Sequence, residues 1–289
     1  MRVNYLLVIS FWFMFVKKDI IKIYYSRRKT LMEGLKMNFK DNWNEMAKAY
    51  EDFTESEDSY SYSIEWPCIK EMLPNLNNKD ILDLGCGTGR FTFLLEEKAP
   101  KSINGIDISE KMLEIAKEKA KTKKSKAEFI VGNISDIDKY KGHFDFIFSS
   151  TTFHYIRDIK KLFRSIYNVL NNNGICIISL IHPVYSANYP IDKNGEFPRD
   201  DEWQVRYLDK NLRSYIQPWI EYNENIENYL STSYHHTFSD YLSAALEAGF
   251  SVEKVEEPMP PEEWKDKYKY RYEDFIQTPS FLIIKLKKC

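Results

Sequence analysis

At 289 residues the chain has room for one large α/β domain, or for such a domain with an elaborate insert, and buries enough core to need neither disulfides nor metal. Its 41 basic and 43 acidic residues leave a formal charge of -2, which gives no electrostatic reason to expect a nucleic acid as partner. The four cysteines, Cys68, Cys86, Cys176 and Cys289, contain no C-x-x-C pair, so their spacing argues against zinc and for a reduced, cytoplasmic setting.

Residues 5–16 form a continuous apolar run ended by Lys17 and Lys18, about half to two-thirds of the ~20 residues needed to span a bilayer. Arg2 leads it, and no A-x-A cleavage site follows. It reads as an interfacial anchor, a poor signal peptide or a segment outside the working protein. The last is preferred, which makes residues 1–36 a leader and residues 37–289 the domain, with no stable membrane insertion expected. Over residues 38–53, Trp43, Met46, Ala47 and Tyr50 recur at i, i+3, i+4 and i+7 and predict an amphipathic helix. The acidic, serine-rich residues 51–61 read as a mobile connection, and residues 67–73 as a short helix stopped by Pro74.

Strands and helices then alternate. Strands are predicted at 80–84, 102–107, 127–131, 144–149 and 175–181, and helices at 88–98, 109–121 and 158–170. Ser109 is a predicted N-cap, and 171–174, Asn-Asn-Asn-Gly, a turn. The basic run 117–126 ends a helix and reads as a solvated face. This rhythm implies a parallel sheet with right-handed crossovers. It breaks at His182-Pro183, where about 50 aromatic, Pro- and Asn-rich residues follow, too many for an ordinary loop. A cap over a ligand cleft, at about 182–234, is preferred to a cover for a sheet edge. Its Tyr185, Tyr189, Trp203, Tyr207 and Trp219 suggest a partly apolar pocket. Thr237-Phe238-Ser239-Asp240 opens a helix with capping-box spacing, Gly249 closes it, and strands at 251–256 and 280–286 end the pattern.

Asp83-Leu84-Gly85-Cys86-Gly87-Thr88-Gly89 follows a strand and opens a helix. Glycines there permit positive φ and a close approach to backbone, and the N–H groups at the helix start suit a carboxylate. Asp107 stands 18 residues after Gly89, at the end of the second strand, where an acid holds ribose hydroxyls. A dinucleotide loop would read G-x-G-x-x-G; this one reads G-x-G-x-G with an aspartate two residues ahead.

That arrangement resembles motif I of the class I S-adenosyl-L-methionine-dependent methyltransferases, and Asp107 resembles their motif II acid. Asn133, after Val131-Gly132, falls where the family places an acid or amide near the adenine, and residues 144–149 resemble its motif IV strand. The resemblance covers residues 41–288, with Met37 as a second start just before it. It implies a Rossmann-like, doubly wound, mostly parallel seven-stranded sheet with an antiparallel C-terminal strand and a cap insert. It also implies S-adenosyl-L-methionine as cofactor, held by Tyr50, Asp83, Gly85, Cys86, Gly87, Gly89, Asp107, Ile108, Met112, Asn133, Ile134 and Ser149. Trp43 to Tyr50, and Ser149-Ser150 with His154-Tyr155, resemble stretches of the small-molecule, type-11 branch related to the ubiquinone and menaquinone methylases. His182-Pro183, Tyr234 to Thr237, Gly249-Phe250 and Glu257-Pro258 match one bacterial subgroup whose "HRT" reads His235-His236-Thr237 here, without the arginine.

Methyl transfer needs an in-line nucleophile, held by the protein, while the cofactor supplies the hard chemistry; no metal is required. His154 and His235 are the candidate bases, because imidazole titrates near neutrality. Each has a structural alternative: a backbone bond for His154, a helix cap for His235. The implied partner is a small-molecule methyl acceptor reacting at O, N or C. An RNA or protein methylase is the second reading, although Ser149-Ser150-Thr151-Thr152 stands where base methylases carry [DN]PP[YF]. A non-catalytic protein that binds the cofactor is the third.

Overall fold

A sheet covered on both faces needs strands that are apolar on both sides and helices with one apolar stripe, and the chain supplies them in alternation. The computed structural model describes residues 39–55, 59–139, 144–188, 205–216 and 230–289. The predicted leader, together with Tyr189, Trp203 and Trp219, lies outside the described residues. Helix α1 (Phe39–Thr54) and helix α2 (Trp66–Met72) precede strand β1 (Asp80–Leu84) and helix α3 (Arg90–Glu96). Next come β2 (Ser102–Asp107), α4 (Glu110–Lys123), β3 (Glu128–Val131), β4 (Phe144–Ser150), α5 (Ile159–Val169) and β5 (Leu170–Ile181). The described part of the insert holds α6 (Pro183–Ala187), β6 (Arg213–Ile216) and β7 (Leu230–Ser233). Helix α7 (Phe238–Ala248), β8 (Phe250–Glu256), α8 (Trp264–Lys267), α9 (Lys269–Gln277) and β9 (Phe281–Lys288) complete the order.

The main sheet runs β3-β2-β1-β4-β5-β9-β8. Its first five strands are parallel, and β9 lies antiparallel between β5 and β8. Alternate residues face opposite layers. Leu82, Leu84, Ile147 and Ile178 pack with Leu162 and Phe163 of α5 and Tyr241 of α7. Ile81, Phe146, Phe148 and Ile177 pack with Ile69 and Met72 of α2 and Phe91 and Leu95 of α3. Strand order reverses between β1 and β4, and that switch point, at the carboxyl ends of the strands, is where ligands bind in such sheets.

Three features differ from the sequence expectation. Residues 51–61 are no mobile connection as far as they are described: α1 continues to Thr54, Ser59 is buried, and Ser61–Glu65 forms a π-helical turn. The acids and serines there have partners far along the chain. Lys119 Nζ bridges Glu51 and Glu55 at 2.7 Å each, and Arg90 donates to the Thr54 carbonyl and the Ser59 hydroxyl. The Asn-rich turn is absorbed into β5 as an irregularity: Phe144 pairs with Leu170 and Phe146 with Ile175, with Asn173 at φ 61°. Finally, α8 and α9 had no periodic signal. They are held by an aromatic cluster of Trp264, Tyr272, Phe275 and Phe281 closed around Ile64 of the π-helical turn.

Candidate active site

The loop after β1 takes its shape from its glycines. Gly85, Gly87 and Gly89 all have positive φ, at 72°, 53° and 82°. A Cβ on Gly85 would stand 2.2 Å from Thr152 Oγ1, so the loop and the turn after β4 close only on glycine. Beneath the loop, Asp83 is 2% exposed and accepts from Thr92 Oγ1 at 2.6 Å; burial raises its pKa to about 7 against that hydrogen bond. Asp107, at the end of β2, accepts from Gly87 N (2.9 Å) with one oxygen and from Ser109 N (2.8 Å) with the other. One carboxylate thus fixes both the loop and the start of α4, where Ser109 caps by accepting from Met112 N at 3.1 Å. Burial holds Asp107 above the usual carboxylate range, opposed by the backbone donors.

A cavity of about 260 Å³ opens over these strand ends. Eight of the predicted cofactor residues line it: Tyr50, Gly85, Gly87, Asp107, Ile108, Met112, Asn133 and Ile134. A side chamber of about 20 Å³ is lined by Asp83 and Cys86 together with Tyr50, Gly85, Thr88, Arg90, Phe91 and Ser150. Two predicted residues lie behind the wall. Gly89 caps α3 and packs under Phe93 and Phe129. Ser149 is fully buried and donates to the Leu84 carbonyl at 2.7 Å, tying β4 to β1. The fit to an adenosyl cofactor is good: a carboxylate with two oxygens at the pocket wall, an apolar slot of Ile108, Met112 and Ile134, and an amide at Asn133 held by Ser135 N.

The far end of the cavity is aromatic. Phe39 and Trp43 from α1 meet Tyr155 edge to face at 5.5 and 5.7 Å, Tyr234 from the end of the insert lies 6.2 Å from Phe39, and Trp43 reaches Tyr50 at 5.5 Å. Ile156 and the exposed Arg157 complete this end. Trp43 and Tyr155 were legible in their motifs as helix and strand-end residues but not as wall. Ser150 and Tyr234 stood in stretches that resemble the family but carried no sign of lining the site, and Arg157 carried no signal at all. Thr151 adopts φ 46°, a costly conformation for a β-branched residue, and its N–H is held by the Ser179 carbonyl at 2.8 Å.

The histidines expected as bases stand elsewhere. His154 is 3% exposed, lines neither cavity, and has no hydrogen-bond partner at either ring nitrogen among the described residues. Burial, and then His236, lower its pKa to about 3. His235 is 1% exposed; Nε2 meets the Tyr207 carbonyl at 2.7 Å and Nδ1 the Ser186 hydroxyl at 2.8 Å. Burial brings it to about 4. Both are neutral imidazoles within the packing, the second a brace between Ser186 of α6 and the Tyr207 backbone. His182 caps α6 by accepting from Val184 N and reaches Glu257 at 2.9 Å. Among the described residues no group of three or more His, Cys, Asp or Glu side chains gathers as a metal site, and no helix is long and apolar enough to cross a membrane.

Known proteins carry the same pattern. The sequence profile of a family described as a methyltransferase domain matches residues 75–270. An uncharacterized protein of Haemophilus influenzae is 33% identical over 259 residues, 86% of this chain and 95% of that protein. The demethylmenaquinone methyltransferase of Thermotoga maritima is 36% identical over 117 residues, 40% of this chain and 49% of that enzyme, so the similarity spans about half its length. The crystal structure of an S-adenosylmethionine-dependent methyltransferase from Listeria monocytogenes superposes with a TM-score of 0.63 at 30% identity, covering 78% of this chain and 96% of that one. Sheet order, loop and profile agree, and the chain belongs to the methyltransferase domain family, as a class I S-adenosyl-L-methionine-dependent methyltransferase of the type-11 kind.

Proposed function

We propose that this enzyme methylates a small, flat or apolar acceptor, with residues 37–289 as its working domain, acting in the cytoplasm. The observation that carries the reading is the two-ended cavity. A polar end around Gly85, Gly87 and Asp107 opens into an aromatic end of Phe39, Trp43, Tyr155 and Tyr234, with Arg157 at the rim. The cofactor supplies a methyl group activated on a sulfonium. Asp107 holds the ribose and keeps the glycine loop in place, Asn133 and the Ile108–Ile134 slot take the adenine, and Tyr50 closes the pocket from α1. The aromatic rings seat the acceptor, and Tyr234 brings the insert to its side. Arg157 favours an acceptor with an acidic or strongly polar group. Quinone methylation by the Thermotoga relative fits an acceptor of this shape.

His154 and His235 are spent inside the packing, so the described walls offer no imidazole. The protein contributes orientation and water exclusion. Incubation with labelled S-adenosyl-L-methionine and a panel of quinols, phenols, carboxylic acids and amines tests the reading, with methylated product identified by mass spectrometry. Label found only in RNA or protein, with none in any small acceptor, would overturn it.

A further inference from the structure

The mechanism above gives no role to Glu65. Glu65 ends the π-helical turn Ser61–Glu65 and is 0% exposed. Ile64, one residue earlier, is clamped in the aromatic cluster of Trp264, Tyr272 and Phe275, which fixes where the carboxyl stands. Ser150 Oγ, on the wall of both the main cavity and the side chamber, donates to Glu65 Oε1 at 2.5 Å. Glu65 Oε2 and the neighbouring Ser179 Oγ have no hydrogen-bond partner among the described residues. Arg90, the cation lining the side chamber, turns its guanidinium to the Thr54 carbonyl and the Ser59 hydroxyl. A carboxyl enclosed this completely, with one oxygen left without a hydrogen bond, is costly in a core unless a further donor or cation completes it.

We propose that Glu65 is the positioning acid for the ammonium group at the amino-acid end of S-adenosyl-L-methionine, acting through the Ser150 hydroxyl. That end carries a carboxylate and an ammonium. Backbone N–H groups of the glycine loop suit the carboxylate, and they offer nothing to the ammonium. Ser150 does: its proton is directed to Glu65, so its lone pairs are left to accept from the pocket side. The relay runs ammonium to Ser150 Oγ to Glu65 Oε1, beside Tyr50 and Gly85. Burial holds the Glu65 carboxyl above its ordinary range, opposed by the nearby hydroxyls of Ser150, Ser179 and Ser61 and, more weakly, by the Arg90 charge.

This inference rests on the cofactor lying in this cavity, and binding measurements separate the two. Isothermal titration of the full chain with S-adenosyl-L-methionine, S-adenosylhomocysteine and 5′-methylthioadenosine gives three readings. The last lacks the whole amino-acid end. Glu65→Gln keeps the shape and an acceptor for Ser150 but removes the charge. It is expected to weaken the first two ligands alike, by at least about tenfold, the scale of one charge-assisted hydrogen bond, and to leave 5′-methylthioadenosine unchanged. Ser150→Ala is expected to do the same, and decides the matter if Glu65→Gln does not fold. Unchanged affinity for all three ligands, an equal loss for 5′-methylthioadenosine, or a loss confined to S-adenosyl-L-methionine would each overturn the proposal. A wild-type chain that binds none of them would instead overturn the cofactor's placement.

Discussion

Asp107→Ala is the sharpest test of the cofactor site, because the carboxylate has two separable duties. Within the protein it accepts one backbone N–H on each oxygen, from Gly87 at 2.9 Å and Ser109 at 2.8 Å. Toward the cofactor, Asp107 lines the cavity, and its proposed role is to receive the ribose hydroxyls on its remaining lone pairs. Hydrogen bonds to a charged group contribute about 1.5–3 kcal/mol, so the variant should bind S-adenosyl-L-methionine about 10- to 150-fold more weakly. The internal duty costs stability too. Water from the cavity can replace part of what Gly87 N and Ser109 N lose, which leaves a net cost of about 1–3 kcal/mol and a melting point lower by a few degrees in a domain of this size. Titration calorimetry and a thermal melt read the two effects independently. Because 5′-methylthioadenosine keeps the ribose, its affinity must fall in parallel. A folded variant with unchanged affinity for both ligands refutes Asp107 as the ribose acid.

Two further outcomes follow from burial and charge. His154→Leu removes an imidazole unpartnered at both nitrogens among the described residues, so the variant should be as stable as the wild type at pH 8. With the folded pKa near 3 against an ordinary 6.5, the unfolded chain binds the extra proton as pH falls through that window, and wild-type stability drops. The variant should therefore gain about 2 kcal/mol on the wild type at pH 5, read by urea unfolding, with turnover retained; a large loss of kcat in the folded variant would restore the histidine as a base. Asp240→Asn weakens the capping box of α7, in which Asp240 accepts from Thr237 N at 2.7 Å and pairs with Lys210. Burial alone would raise this carboxyl, but Lys210 and Thr237 outweigh it and hold it at about 2. Its contribution is thus complete above the ordinary value of 3.8 and lost as pH falls toward 2. The variant should be less stable at pH 7 by about 0.5–2 kcal/mol and indistinguishable at pH 2, and a gap that persists at pH 2 would refute the assignment.

The sheet was legible because its signals are local. A strand such as Asp80–Leu84 is apolar on both faces because both are covered, and the caps at Ser109, Thr237 and Gly249 are dictated by backbone groups within four residues. The segments that escaped notice depend on distant partners. Lys119 and Arg90 convert an acidic, serine-rich stretch into anchored structure, and nothing in residues 51–61 announces them. Helices α8 and α9 have no repeating apolar stripe, because their aromatic residues converge on Ile64 and Phe281.

The site divides along the same line. Gly85, Gly87 and Asp107 were readable because the turn requires positive φ and because an acid at the end of the second strand, 18 residues after Gly89, stands where ribose hydroxyls are held; that the same carboxylate also takes two backbone N–H groups was not. The role of a histidine is not written there. His154 follows the motif IV strand, where fold logic puts ligands, and a base and a core residue have the same sequence there. The difference lies in one turn of backbone: Phe153–Tyr155 forms a 3₁₀ turn that sends the Tyr155 ring into the cavity and leaves His154 in the interior beside it, with ring centroids 4.1 Å apart. Glu65 is the converse case. As an acid ahead of a Trp-Pro helix start it looks like a surface residue, and only the packing of the π-helical turn against the sheet makes it a buried carboxyl one hydroxyl from the cavity. Chemistry at this site is decided by which neighbours exclude water, and that depends on how the helices pack.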